Sequence, residues 1–485
     1  MLKQFFKDSF LYGLAGVLSR GISIILIPLY TKVLSPGDFG IIDMVAVFAS
    51  FVSVLIPLGI SSGIARYYPD AESEIVKTSY VSSALWFTIG VYSVFTLVAL
   101  NFTDELTVLL LANIKWRSFF QLGILSTTAN GIFYFFQSCL RWQLKPRSYI
   151  VSSILSTLVT ATIAAFTVIV MHWGVVGIIW GQISGASVGS ICAWYSNRGV
   201  YSFTFNLQRL KLMLIFSIPL VPALIGEFIT NYIDRISIRG LLTVTDLGLY
   251  GVGFRFASVV SLLMMGFNSS LAPLIYNNYK KESTPADIAL IFRIFTSLAL
   301  PMLLTIALFS KEILIFFTVP QYYSAWKIIP ILSLSVMLLT LYNFAPGMAI
   351  AKKTKSISAI HLLSALINGA LNFYLIPYLG ITGSAIATAI SALFSFVSYM
   401  VMSQRLYFVP HKWLQIISAT ALGVLFALAG VLLLQPGTAL FTMILFIKLL
   451  VTCLFSFTAI LILFSKQEIR SLLVRVRSKL PLRFT

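Results

Sequence analysis

His172-Trp-Gly174-Val-Val-Gly177 and Tyr378-Leu-Gly380-Ile-Thr-Gly383 are two versions of one motif, their first glycines 206 residues apart. Each leads into an apolar segment with a small residue at every fourth position. These are Gly177, Gly181, Gly185 and Gly189 in the first copy and Gly383, Ala387, Ser391 and Ser395 in the second. Small residues at that spacing line one helix face and let a neighbouring backbone come close. Two further anchors keep the order and nearly the offset. Asp38-Phe-Gly40 matches Asp246-Leu-Gly248, and the basic pair Lys145/Arg147 matches Lys353/Lys355, each 208 residues on. One such match is weak; four in register define a duplication.

The duplicated unit is made of membrane helices. The 485 residues are 59% hydrophobic and 10% charged, with mean hydropathy +0.95. Soluble chains are nearer 45–50% apolar and roughly 25% charged, so a soluble enzyme, a disordered chain and a disulfide scaffold are all excluded. A span needs about 20 apolar residues. Fourteen segments qualify: 9–33, 39–62, 79–101, 118–140, 148–170, 174–196, 211–238, 247–275, 287–309, 325–350, 356–376, 380–404, 412–434 and 439–464. The repeat covers six spans. An even number preserves orientation, so the copies are related by an axis along the membrane normal. The expected architecture is an all-α polytopic membrane protein with two six-helix lobes, 1–205 and 206–405. Spans 13 and 14 follow in 406–464, then a basic tail, 465–485, whose Ile469, Leu472, Leu473 and Val476 stripe suits an amphipathic helix on an anionic leaflet. Connections are short, which confines any chemistry to the bundle or its mouths.

The net charge of +19 needs no nucleic-acid partner. Of 34 Lys and Arg residues, 23 fall on the side that holds both termini and six on the other, which places the termini in the cytoplasm. Lys3 and Lys7 precede a stretch too long for a signal peptide, read as the first span. Cys139, Cys192 and Cys453 lie far apart in apolar segments and read as small buried residues.

Charges inside spans are costly, about 2.5–3.5 kcal/mol each on insertion scales, and usually face a bundle interior or a wet cavity. Arg20, Glu227 and Arg255 are the strongest cases. Arg20 and Glu227 fall at nearly equal depth in equivalent helices and are expected to face one another. Asp43, Asp234 and Arg235 lie shallower, and as sequence neighbours Asp234 and Arg235 are not expected to pair. Guanidinium forks suit phosphate oxygens, so Arg20 and Arg255, with Arg66 and Arg293 near the inner mouth, are candidate diphosphate ligands. Glu227, Asp234 and Asp43 are candidate coupling or counter-charges. The alternatives are structural ion pairs for the first group and headgroup snorkelling for Arg66 and Arg293. Asn130 and Gln137 on span 4, and Asn368 and Asn372 on span 11, are candidate sugar contacts, with interhelical hydrogen bonding as the other reading. Lys448 in span 14 has no account from sequence.

Gly59-Ile-Ser61-Ser-Gly63 fits the nucleophile-elbow pattern but lacks a preceding strand and a nearby histidine. His172, His361 and His411 are scattered, and the sequence holds no P-loop or His-Glu-x-x-His motif. Neither an enzyme nor a cofactor or metal is expected.

The run Leu18-Ser-Arg-Gly-Ile-Ser, then Pro28-Leu-Tyr-Thr-Lys-Val-Leu-Ser-Pro-Gly-Asp38-Phe-Gly40, then Leu58-Gly-Ile-Ser and Ala65-Arg66-Tyr-Tyr resembles the polysaccharide transporters. These Wzx-like oligosaccharide flippases belong to the multidrug/oligosaccharidyl-lipid/polysaccharide (MOP) exporter superfamily. The resemblance implies two lobes, alternating access, and export of an undecaprenyl-diphosphate-linked glycan across the bacterial inner membrane for surface polysaccharide such as O-antigen. It implies a cationic cavity, here supplied by Arg20 and Arg255, contact with membrane lipids, and pathway polymerases or ligases as partners. Drive would come from the membrane potential, about 2.3 kcal/mol per charge per 100 mV, or from H+ or Na+ at Glu227. Fourteen spans also match the lipid II flippases of the superfamily, whose extra pair helps form a lipid-tail groove. A drug/cation antiporter of the same fold and a membrane glycan polymerase are the competing readings.

Overall fold

The computed structural model describes residues 21–433 and 441–470, apart from Ser23. Its principal helices, in chain order, are α1 (Pro36–Leu55), α2 (Glu74–Asn101), α3 (Arg117–Trp142), α4 (Pro146–Ala165), α5 (Val175–Tyr195), α6 (Val221–Leu241), α7 (Val244–Ala257), α8 (Val260–Asn278), α9 (Thr284–Phe317), α10 (Ile329–Leu338), α11 (Thr354–Leu379), α12 (Ile381–Leu406), α13 (Trp413–Leu433) and α14 (Phe441–Leu463). Among the described residues eleven helices are long and apolar enough to cross a membrane. Two bent pairs, Thr103–Leu111 with Ile114–Trp142 (119°) and Pro320–Lys327 with Ile329–Phe344 (51°), raise the number to 13. These coincide with spans 2–14 as expected. Span 1 lies largely outside the described residues, as does the apolar stripe of the tail beyond Ile469.

The starts of these helices are legible chemistry. Ser35 and Asp38 form a reciprocal capping box at α1, with Asp38 N donating to Ser35 Oγ at 3.2 Å and Ser35 N to Asp38 Oδ2 at 2.9 Å. Thr243 and Asp246, 208 residues on, repeat it at α7, at 3.1 Å for both bonds. Such boxes satisfy helix N–H groups that otherwise lack partners. The backbone repeats as well. Leu144 and Lys352 both take left-handed φ, 54° and 56°, as do Gly174 and Gly380, 56° and 57°.

The chain divides into two compact units, Met1–Phe256 with Phe317–Ala325 and Ser358–Ser391, and Ala257–Phe316 with Trp326–Ile357 and Ala392–Thr485. The first unit contains the start of both copies, and there they meet as near mirror partners. A Cβ on Gly40 would sit 1.9 Å from Val244 O, and one on Gly248 would sit 1.7 Å from Pro36 O. Val244 is the counterpart of Pro36, and Gly248 of Gly40. Only glycine permits this crossing of α1 and α7 at backbone contact. Close by, Thr31 Oγ1 donates to Phe317 O at 3.3 Å. Arg239, its counterpart, donates to Leu110 O at 2.8 Å. The duplication read from sequence is thus built as a local twofold relation. The small-residue stripe of α5 behaves as expected: Cβ atoms on Gly181 and Gly185 would fall 2.8 Å and 2.6 Å from Thr160 O and Ser156 O of α4.

In the second unit α13 and α14 pack on each other, with the Phe426 and Phe455 rings 5.8 Å apart. Only 17% of each of their apolar windows is buried, against 56% for Val244–Met265, so most of their surface suits lipid. Of the cysteines, Cys139 is buried, Cys192 half-buried and Cys453 exposed; the expectation of burial holds fully only for the first.

Candidate functional site

In the first unit α1, α2, α3 and α6 enclose a cavity of about 520 Å³. Its wall carries Ser50, Ser53, Thr88, Thr127, Asn130 and Gln137, with Tyr92 and Tyr134 among them. No Asp, Glu, Lys, Arg or His belongs to that wall among the described residues. Two of the four amides singled out from sequence therefore face one cavity. Asn130 is exposed there. The hydroxyls of Ser50 on α1 and Tyr232 on α6 lie 2.8 Å apart and tie two walls together. The other two amides are elsewhere: Asn368 and Asn372 are buried on α11, where Asn372 Nδ2 donates to Asn368 Oδ1 at 2.6 Å. That bond lies within one helix, since i and i+4 share a face.

The intramembrane charges of this unit form a separate cluster between α1, α6 and α7. Arg255 pairs with Asp43 and lies 5.2 Å from the Phe39 ring. A Cβ on Gly251 would collide with Asp43 Oδ2, so that glycine admits the carboxylate against α7. Asp234 is buried; it accepts the Tyr250 hydroxyl at 2.6 Å and the Arg235 backbone N–H at 2.8 Å. Contrary to expectation, Arg235 also turns back onto Asp234, Nη1 to Oδ1 at 3.4 Å, while its guanidinium stacks 4.5 Å from the Phe254 ring. The long side chain reverses the divergence that adjacent helical positions impose. Glu227 is exposed and within electrostatic reach of His361 on α11. Arg20, and with it the expected meeting with Glu227, lies outside the described residues. Arg66 is exposed and pairs with Asp70 one turn on.

The second unit holds two ion clusters. Arg293 on α9 is buried and grips Glu468 with both forks, Nη2 to Oε1 at 2.8 Å and Nη1 to Oε2 at 3.1 Å, while Nη1 also donates to Leu463 O at 3.0 Å. Lys412 adds a third contact to Glu468 at 3.1 Å. These donors hold the Glu468 carboxyl well below its ordinary range, Arg293 first. Arg293 is thus committed to the chain's own tail, and neither snorkelling nor an open ligand site describes it. Lys448 on α14 pairs with Glu312 on α9 and donates to Leu308 O at 2.7 Å. Both side chains are under a tenth exposed. Lys311-Glu312 interrupts the apolar run, so the sequence predicts that span 9 ends at 309; the helix instead continues to Phe317 and brings Glu312 inside. Between α9, α10, α12 and α13 lies a second cavity of about 630 Å³, lined by Leu300, Leu338, Phe396, Ile417 and Val424 among other apolar residues.

A polar-lined cavity, an apolar one, ion pairs between helices and a helix duplication are the features of multi-span membrane transporters. Solved structures agree on the fold. The chain superposes on the lipid II flippase MurJ in an inward closed conformation with TM-score 0.74 and 16% identity, covering 92% of this chain and 98% of that one. An inward-facing multidrug resistance MATE transporter of the MOP superfamily matches with TM-score 0.64 and 14% identity, covering 82% and 95%. Residues 5–279 match the polysaccharide biosynthesis protein family, and the chain belongs to that family. Relatives include Lsg locus putative protein 1 of Haemophilus influenzae, 23% identical over 406 residues, 78% of this chain and 95% of that protein. The succinoglycan biosynthesis transport protein ExoT of Rhizobium meliloti is 22% identical over 330 residues, 66% and 64% of the two chains.

Proposed function

We propose that this protein is a flippase that carries an undecaprenyl-diphosphate-linked oligosaccharide from the cytoplasmic to the outer leaflet of a bacterial inner membrane, for surface polysaccharide assembly. The observation that carries the reading is a hydroxyl- and amide-lined cavity inside an apolar bundle of this family. A greasy protein has no use for such a wall unless a polar ligand enters it. The apolar cavity beside α13 suits the hydrocarbon tail. With both termini in the cytoplasm, the crossing at Gly40 and Gly248 would lie toward the outer face. The two lobes, 1–205 and 206–405, would rock about that crossing. Arg20 and Arg255 are the diphosphate ligands of this reading, with Asp43 holding Arg255 until the anion displaces it. Glu227 and Asp234 are the candidate sites for H+ or Na+ coupling.

The test is translocation in proteoliposomes, using a lipid-linked oligosaccharide whose sugars are scored by an impermeant glycan-oxidising reagent. Protein-dependent exposure of the sugars is expected, reduced at least about tenfold in Arg255→Ala. Absence of flipping together with efflux of cationic dyes would replace this reading by a drug antiporter of the same fold.

A further inference from the structure

The segment that joins the two copies of the repeat, 197–207, has two unlike sides. Its backbone is extended at Tyr201 and Asn206, and successive residues of extended chain point opposite ways. The polar side is tied to α2. Ser202 N donates to Ser82 Oγ at 2.9 Å, Trp86 Nε1 to Ser202 O at 3.2 Å, and Asn206 N to Ser83 Oγ at 2.8 Å. Lys145 Nζ holds the start of the segment through Asn197 Oδ1 at 2.6 Å. Asn206 Oδ1 caps the helix that follows, accepting from Arg209 N at 3.0 Å. These bonds leave the apolar members turned outward: Phe203 is 94% exposed, Phe205 53% and Leu207 69%.

A phenylalanine pinned in water forgoes the burial its ring ordinarily gains. The second copy shows that this place can be covered, since Val409 and His411, the counterparts of Tyr201 and Phe203, are both buried. The charge beside the segment says what covers the first. Arg198, Arg209 and Lys211 flank it, and the chain has no Asp or Glu between Glu105 and Glu227. The acidic residues that lead into α2, Asp70 and Glu74, are paired with Arg66 and Lys77. Aromatic residues beside basic ones suit a membrane–water interface with anionic headgroups.

We propose that 197–207 is a lipid anchor, with Phe203, Phe205 and Leu207 seated at the acyl-chain boundary and Arg198, Arg209 and Lys211 holding anionic phospholipid headgroups. It ties the junction of the two repeats to the bilayer surface. It is independent of the transported ligand, so loss of the flippase reading leaves it standing.

The experiment uses the full chain in nanodiscs, with Cys139, Cys192 and Cys453 replaced by alanine and bimane attached at Phe203→Cys. The same label at Glu72→Cys, in an exposed loop, is the control. The label at 203 is expected to be shielded from iodide and quenched by brominated lipid. Brominated phosphatidylglycerol should quench it at about fivefold lower mole fraction than brominated phosphatidylcholine, through the three basic side chains. Arg198→Gln with Arg209→Gln and Lys211→Gln should bring that ratio close to one. High salt should shrink it in the unaltered basic background. Iodide access at 203 equal to that at 72 overturns the proposal, as does equal quenching by the two lipids. A ratio that survives both the triple substitution, at unchanged thermal midpoint, and high salt also overturns it. Shielding from iodide without quenching by either lipid would place protein, such as a second copy of this chain, over the segment and overturn it as well.

Discussion

Positions 208 residues apart occupy the same place on equivalent helices, and they give one wall that is wet and another that is dry. Thr88, Tyr92 and Asn130 line the hydroxyl-rich cavity of the first unit. Their counterparts Thr296, Leu300 and Leu338 line the apolar cavity of the second. Thr88 and Thr296 even make the same bond, to the carbonyl of the residue four back at 2.8 Å. A small number of exchanges, tyrosine and asparagine against leucine, turn one duplicated scaffold into two chemically different chambers. The same contrast holds for charge, with the order reversed. Asp104 in the first copy pairs with Arg117 at 2.6 Å, both about half exposed. Its counterpart Glu312 is buried against Lys448, a residue on α14, outside the repeat. The lesson is that duplication sets where the side chains stand, whereas burial sets what they are worth.

The comparison can be broken most forcefully at Lys448. Lys448→Ala strands the Glu312 carboxylate in an apolar setting and should cost roughly 3–5 kcal/mol, seen as a large drop in thermal midpoint in detergent. Glu312→Gln combined with Lys448→Met should recover most of that loss, because removing both charges abolishes the desolvation penalty. Next in size is Leu338→Asn, which asks the dry wall to behave like the wet one. An amide there finds no water and should cost about 1–3 kcal/mol, whereas Asn130→Leu in the first copy should leave stability unchanged or raised. Cost-free Leu338→Asn would mean that the second chamber is hydrated.

A smaller effect separates the loop ends of the two copies. His411, between α12 and α13, is buried against Phe292 and Trp413, with ring centroids 4.9 Å and 5.2 Å away. Burial lowers its pKa to about 4. The unfolded chain therefore binds a proton near pH 6.5 that the folded chain refuses. Stability is full above that value and falls as the pH drops toward 4, by roughly 1 kcal/mol between pH 8 and pH 6. His411→Phe should flatten the dependence in a melting series. Glu468, whose pKa is depressed by Arg293, stays ionised over that window and adds no slope. The counterpart of His411 in the first copy is Phe203, fully exposed at 94% and without a titratable group. The smallest effect is expected at Asp104→Ala, within about 1 kcal/mol, since an exposed pair contributes little. A loss equal to that from Lys448→Ala would erase the distinction.

The spans, the duplicated six-helix unit and the two small-residue stripes are legible because each is a local property of the chain: apolar run length, a four-residue period, a glycine before a helix. The capping residues Ser35 and Asp38 and their copies were in the quoted motif, though their reciprocal bonds became visible only in the fold. Of the candidate site, Asn130 and Gln137 are legible as amides in one apolar span, and the fold places both on the wall of one cavity. The charged residues were found too, but their partners were not. Asp43 and Arg255 are 212 positions apart, and Glu312 and Lys448 are 136 apart. Hydropathy marks such residues as costly, and only packing says which one meets which. Composition and period alone thus determined that this chain is a duplicated bundle of membrane helices, since solvation by lipid acts on every segment separately. The tertiary structure decided which chamber is wet, which charges are neutralised and which glycines touch, since each of those depends on what a distant helix brings to the same point in space.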